Sequence, residues 1–271
     1  MRLPLRRRAA HLLTSAALAS LLAISVAGCV TSGPETTGSI DKRPASFSEA
    51  DWRRVLDEWG PRYRANNRDA QAAMYYARAL RATGQRAQAV AVLEQASIYN
   101  PHDMALLGEY GRALADAGDY NEALAVLDRA HTPDNPNWRI LNVQGAVLDE
   151  IGRHEEAQKH YTAALKIVPN EPSVLSNLGL SYALSKNLTS AEQTLRLAAA
   201  QPNAGPKVRQ NLALVVGLEG RFAEAEKIAS ADLPPDQAAA NVAYLQQMLA
   251  QQTQAKRRAR GRFAAPATNN S

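Results

Sequence analysis

Apolar and small residues recur along this chain at a fixed interval of 34. Gly84, Gly118, Gly152 and Gly220 are spaced by multiples of it, with Lys186 at the missing place. Ala89, Ala123, Ala157, Ala191 and Ala225 form a second column without exception. A third holds only small residues, Ala77, Gly111, Gly145, Gly179 and Ala213. A fourth holds large apolar ones, Leu80, Leu114, Leu148, Tyr182 and Val216, and a fifth holds Leu93, Leu127, Tyr161, Leu195 and Ala229. An Ala-rich chain repeats alanine by chance, but not five columns in one register. A repeat of this length is one supersecondary unit that buries its apolar face only against its neighbours.

The spacing predicts two helices per unit. The first carries the small residue and the large residue three positions on, along one face. The turn falls at the glycine column, where a left-handed backbone costs least. The second helix carries the alanine and a large residue four positions later. Small residues are expected to face small ones where the two helices cross. Pro101, Pro169 and Pro202 stop helices at unit ends. The expected units are 70–103, 104–137, 138–171, 172–205 and 206–234. The second departs by placing Pro133 and Pro136 around its closing position. The fifth departs at Asp232, where the others carry Ala96, Ala130, Ala164 and Ala198. Residues 235–250 read as a capping helix with Val242, Leu245, Met248 and Leu249 as its apolar stripe. Within 47–69, a leading helix over 48–59 has Ser48 as N-cap and is expected to end at Gly60-Pro61.

The first residues break this pattern. Arg2, Arg6, Arg7 and Arg8 precede an apolar stretch, densest from Ala16 to Ala27, that ends in small residues before Cys29. Residues 1–28 therefore read as an export signal. Val26-Ala27-Gly28-Cys29 resembles the bacterial lipobox, which implies a diacylglyceryl thioether on Cys29 and cleavage after Gly28. Its place favours lipidation over a buried core thiol or a catalytic cysteine. Several acyl chains, at about 0.8 kcal/mol per buried methylene, make a durable anchor. Val30, rather than Asp, follows the cysteine, which by analogy directs the protein to the periplasmic face of the outer membrane. Residues 29–46, rich in Thr, Ser, Gly and Pro, read as a flexible tether.

Charge changes the picture once. The net +5 invites a nucleic-acid partner. Setting aside the four arginines of the signal and the five basic residues after 249 leaves 22 basic against 26 acidic groups over 29–249. The folded part is mildly acidic and offers no overall field for phosphates. The basic residues of the tail, Lys256 to Arg262, lie in a segment, 251–271, that reads as disordered and solvated, with anionic lipid or peptidoglycan as the alternative contact.

The column pattern resembles the tetratricopeptide repeat. The best copy runs from Leu141 to Pro169 through Gly145, Leu148, Ala157, Tyr161 and Ala164. The resemblance implies an all-α right-handed superhelical solenoid of about five helix-turn-helix repeats. Three stretches add a narrower likeness: Ala77 to Gly84, Arg209 to Leu214, and Asp232-Leu233-Pro234-Pro235 leading to Ala240 to Leu245. Together with the lipobox and tether, they resemble the TadD family, the repeat lipoproteins of tight-adherence (Flp) pilus assembly. That likeness implies a non-enzymatic, pilotin-like factor whose partner is the pilus secretin or another assembly component. A general lipoprotein of outer-membrane protein assembly and a periplasmic scaffold for a peptidoglycan enzyme are the alternatives.

No catalytic constellation or cofactor motif emerges. His154-Glu155-Glu156-Ala157-Gln158 starts like a zinc-protease helix but lacks the second histidine, and His160 lies on another face, so no metal is expected. By analogy with the repeat family, the groove lined by the first helix of each unit is the working surface. Its candidate residues are Arg78, Arg112, Asn142, Asn177, Lys207 and Asn211. Asn can donate and accept toward a peptide backbone, and Arg can grip a carboxylate through two bonds. Because the anchor rests on one thiol, Cys29→Ser is expected to move the protein from the membrane to the soluble fraction and to abolish palmitate labelling. Fractionation with radiolabelled palmitate checks this, and a variant that stays membrane-bound rejects it.

Overall fold

The computed structural model describes residues 47–264, with side chains to 255. Cys29 and the segments expected as signal and tether lie outside the described residues. Among the described residues the chain is an all-α repeat solenoid of twelve helices. These are α1 (Glu49–Ala65), α2 (Ala70–Ala82), α3 (Arg86–Tyr99), α4 (Met104–Ala117), α5 (Tyr120–Leu127), α6 (Trp138–Glu150), α7 (His154–Ile167), α8 (Pro172–Leu184), α9 (Leu188–Ala199), α10 (Pro206–Leu218), α11 (Phe222–Ala229) and α12 (Pro235–Ala264). Helices α1–α7 form one compact unit and α8–α12 a second, divided after Val168.

Inside each repeat a first helix (α2, α4, α6, α8, α10) pairs with a second (α3, α5, α7, α9, α11). First helices start on their own caps. Asp69, Asp103, Asn137 and Glu171 accept backbone N–H bonds from the first turns of α2, α4, α6 and α8. Most second helices need no such cap, because they begin inside the turn that ends the first. In that turn the N–H after the glycine column reaches back to the fourth-column carbonyl: Gln85 to Leu80, Asp119 to Leu114, Arg153 to Leu148, Asn187 to Tyr182 and Arg221 to Val216, at 2.8–3.2 Å. The glycine-column N–H itself donates one residue further along, as Gly84 does to Arg81. This is the Schellman arrangement, and it satisfies carbonyls the helix end leaves open.

The turn requires φ near +80°. Gly84, Gly118, Gly152 and Gly220 take φ of 80°, 92°, 79° and 86°. Lys186 takes the same turn at φ 67°. A Cβ on any of the four glycines would meet nothing within 4 Å. The sign of φ, and not lack of space, therefore selects glycine here.

At the third column the reason is space. A Cβ on Gly145 would lie 2.6 Å from Tyr161 Cε1, and one on Gly179 would lie 2.6 Å from Leu195 Cγ. Gly111 meets Leu127 in the same way. The expectation that small faces small is therefore corrected. In the second, third and fourth repeats the gap left by the third column receives the large fifth-column side chain of the second helix, whereas in the fifth Ala213 does pack with Ala229; the alanine column is fully buried beside them. Tyr161 fills the gap of the third repeat, and its hydroxyl donates to Asp149 at 3.0 Å.

Two segments differ from expectation. Helix α1 does not end at Gly60-Pro61 but runs through both to Ala65. Pro61 forfeits one helix bond, at a cost of about 3 kcal/mol. Packing on the far side offsets it: Trp59 stacks on Tyr75 at 4.5 Å and Tyr63 on Tyr76 at 5.7 Å. Gly60 is buried, and a Cβ on it would lie 3.1 Å from Tyr76 Cε2. Val55 and Trp59 continue the second and fifth columns backward by 34, so α1 holds the register of a second helix. The other difference is at the C-terminus. Helix α12 continues to Ala264 rather than ending near 250, so residues 251–264 are helical, without a breaker among Gln251 to Arg260 to stop them. Its stripe docks through Leu245, whose Cδ2 lies 2.5 Å from a Cβ built on Gly217. Ala238 and Val242 are buried with it.

Lys186 holds a left-handed conformation that disfavours side chains by about 1–2 kcal/mol, partly offset by the greater freedom of glycine in the unfolded chain. Lys186→Gly is expected to raise stability by roughly 0.5–1 kcal/mol in urea denaturation. A loss of stability would show that the turn at Lys186 is unstrained.

Candidate functional site

The first helices of each repeat carry a stripe that turns away from the second helices. In α2 and α4 this stripe meets around one buried carboxylate. Glu109, on α4, has a side chain only 6% exposed. Its Oε1 accepts from Arg78 Nη2 and from Arg112 Nη1, each at 2.9 Å, and its Oε2 accepts from Arg81 Nη1 at 3.4 Å. Arg81 Nε also donates to Asp116 at 2.6 Å. Burial pushes the Glu109 carboxyl upward, but Arg112, Arg78 and Arg81 together outweigh burial and hold it below the usual carboxylate range. Burial also lowers the Arg112 guanidinium. Glu109 opposes that, while Arg81 and Arg78 lower it further. The three cations repel one another around a single central anion.

An aromatic ladder flanks the cluster. Arg62 lies over the Trp59 ring at 4.5 Å, Trp59 stacks on Tyr75, and Arg78 lies 5.6 Å from the Tyr75 centroid. Such contacts hold guanidiniums flat against a ring and limit their freedom.

The structure separates the expected groove residues. Arg78 and Arg112 do come together, through Glu109. Arg78 keeps 39% of its side chain exposed, whereas Arg112 keeps 14%. Arg112 is therefore part of the bed of the cluster and not an open contact. Asn142 is corrected too: it is 7% exposed and lies within the helix layer, since its place on α6 falls between the stripe and the core. In the second compact unit, Lys207 is exposed in the first turn of α10. Asn211 lies on the same stripe, and its Nδ2 donates to Ser176 Oγ on α8 at 2.9 Å. Asn177, next to Ser176, is half-buried and already engaged. Along these stripes Leu180 and Leu184 on α8, and Leu214 and Leu218 on α10, are half-buried at four-residue spacing.

Sequence reasoning missed Glu109, Arg81 and the four leucines. A signal for them existed. A residue on one first helix meets the residue about 34 positions later on the next. Arg78 and Glu109 are 31 apart, Arg81 and Asp116 are 35 apart, and Ser176 and Asn211 are 35 apart. The departure at Asp232 is also explained. Arg209 Nε donates to Asp232 Oδ2 at 2.6 Å and Arg209 Nη2 reaches Oδ1, so a two-pronged ion pair replaces the closing alanine of the fifth repeat. His154 Nδ1 lies 2.8 Å from Asp149 Oδ1. Among the described residues, no group of three or more His, Cys, Asp or Glu side chains converges as a metal set. No described helix is long and apolar enough to cross a membrane.

Residues 80–142 and 143–206 each match a tetratricopeptide-repeat family model. Comparison with curated proteins finds no match. Solved structures share the fold at low identity. One is PilW, described as a widely conserved type IV pilus biogenesis factor. It is 16% identical, with a TM-score of 0.64 over 71% of this chain and 91% of that one. A tetratricopeptide-repeat protein from Parabacteroides merdae is 21% identical, with a TM-score of 0.51 over 67% and 75%. Human IFIT1, solved with m7Gppp-AAAA, is 15% identical, with a TM-score of 0.55 over 66% and 45%. Arrays of this kind are protein-interaction scaffolds.

Removing the central anion tests the cluster. Glu109→Gln is expected to cost about 3 kcal/mol, since it leaves three cations around an uncharged amide. The folded carboxyl lies below its unfolded value near 4.3, so its contribution is complete above that pH and fades as pH falls through the folded value. The stability gap between parent and variant should therefore close below about pH 4. Urea titrations at pH 7 and pH 3.5 check this, and a gap that is the same at both rejects it.

Proposed function

We propose that this protein is an outer-membrane lipoprotein that serves as an interaction scaffold in tight-adherence pilus assembly, acting as a pilotin-like factor for the secretin. The observation that carries the reading is the pairing of a lipobox-like sequence, Val26 to Cys29, with a repeat array whose first-helix stripes present polar and apolar side chains for a partner. A scaffold of this kind supplies binding surface and position, not chemistry. The lipid holds it at the inner leaflet of the outer membrane, and the 17 residues from Val30 to Ser46 allow the array to reach partners nearby. In this reading the anchored scaffold holds a secretin subunit at that membrane and raises its local concentration there. The narrower sequence likeness at Arg209 to Leu214 and Asp232 to Pro235 supports the same family. These two stretches are joined by the Arg209–Asp232 pair. The fold shared with a type IV pilus biogenesis factor is compatible with the reading.

Deleting the gene is expected to remove heat-stable secretin multimers from the outer membrane, with monomer accumulating or degraded. Immunoblots of unheated membrane fractions check this. Multimers at the parental level in the deletion strain would reject the secretin role.

A further inference from the structure

We propose that the stripe formed by α2 and α4 binds the carboxylates of an acidic segment of a partner protein, with Arg78 as the principal contact. This rests on the scaffold reading above and names the chemistry of one partner segment.

Four observations carry it. First, the cluster is over-supplied with positive charge. Three guanidiniums face two carboxylates, and one of those, Asp116, sits at its edge on Arg81. An arriving carboxylate supplies the anion the cluster lacks. Second, Arg78 is half-exposed with one bond to Glu109, and a guanidinium has five N–H donors. Its outward edge can take a carboxylate through two parallel bonds. Third, the donors are held in advance. Glu109 fixes Arg78, Arg81 and Arg112 from below, so little side-chain freedom remains to be lost on binding. Fourth, Arg62 and Arg78 bracket the Trp59–Tyr75 stack. The stack gives a flat ledge for the stem of an acidic side chain, and Arg62, paired with Glu58 at 3.1 Å, keeps further N–H donors at its outer end. Burial is the main cause that lowers the Arg112 guanidinium, and the same anion relieves the repulsion that Arg81 and Arg78 add to it.

The net −4 of residues 29–249 argues for a short acidic stretch over a long polyanion. A nucleic acid or an anionic bilayer would meet one local patch and then a repelling surface.

The test uses the full chain purified in detergent and two fluorescein-labelled probes, hexaglutamate and hexaglutamine, followed by fluorescence anisotropy. Hexaglutamate is expected to bind at low salt and weaken as salt rises, whereas hexaglutamine does not bind. Arg78→Gln, which keeps a stem on Tyr75, should weaken hexaglutamate roughly tenfold, the size of one lost charge-assisted pair. Arg62→Gln, on the exposed outer rung, should weaken it about threefold and provides a second variant should Arg78→Gln unfold. Arg53→Gln, exposed elsewhere on α1, should leave binding unchanged. Equal binding of the two probes, parental affinity in both Arg78→Gln and Arg62→Gln, or an equal loss with Arg53→Gln would overturn the proposal. So would tighter capture of phosphatidylglycerol vesicles through the same arginines. The two readings fail separately. Intact secretin multimers with hexaglutamate binding would retire the pilus role and keep this site. Lost multimers without hexaglutamate binding would do the reverse.

Discussion

Each helix pair depends on a gap one side chain wide. A residue without a large side chain at 77, 111, 145, 179 or 213 opens it in the first helix, and a residue 16 positions later comes back to fill it. That return is possible only if the chain reverses within a few residues and in one hand, which the left-handed turn at 84, 118, 152, 186 and 220 provides. The two constraints are coupled. At Gly111, Gly145 and Gly179 even a methyl group would press on the side chain that fills the gap, and the fully buried alanine column, whose methyls are too short to bridge a wider spacing, could not follow. Turn and gap therefore have to keep their spacing, while residues on the opposite stripe of the first helix are free of both.

That coupling is why the fold is legible in the sequence. A gap and a turn demand particular residue types at particular spacings, and 34-residue columns record both. Lys186 shows how far the record reaches. The backbone there follows the turn although the residue does not match the column, because Asn187 still reaches Tyr182 and Lys186 still reaches Ala183. Where interactions are not periodic, the sequence is silent. Gly60-Pro61 reads as a stop by local rules, and only the rings of Tyr75 and Tyr76, contributed by the next helix, keep α1 going. The end of α12 departs from expectation for the opposite reason. Loss of an apolar stripe after Leu249 removes the reason to pack, but it does not remove the capacity of Gln, Ala, Lys and Arg to stay helical.

The site is half legible. Arg78 and Arg112 stand 34 apart, so one column points to both. Their roles differ because Glu109 lies between them: it takes Arg112 from its own helix, three residues on, and Arg78 from α2, the first helix of the preceding repeat. A column compares like with like, and the Arg78–Glu109 pair emerges only when positions a few residues off the 34 spacing, here 31 apart, are compared on successive first helices. Asn142 departs for a related reason. It sits one place before the α6 position equivalent to Glu109, and on a helix that step of about 100° takes it off the stripe, where it is buried.

The stripe position that holds Arg78 and Arg112 passes to Ala146, Leu180 and Leu214 in later repeats. No such drift occurs in the gap or alanine columns. A position that varies from guanidinium to isobutyl is not held to one residue type by the turn or the gap. The Glu109 cluster is also a poor device for stability, since a buried carboxylate ringed by arginines gives little over apolar side chains of the same volume. Its arginines add repulsion that a scaffold alone has no use for. In a solenoid each repeat touches only its neighbours, so a surface built on α2 and α4 can acquire its own chemistry without disturbing the rest of the array. The cost of that freedom falls on Glu109, the one residue that must satisfy both the core beneath it and the cations above.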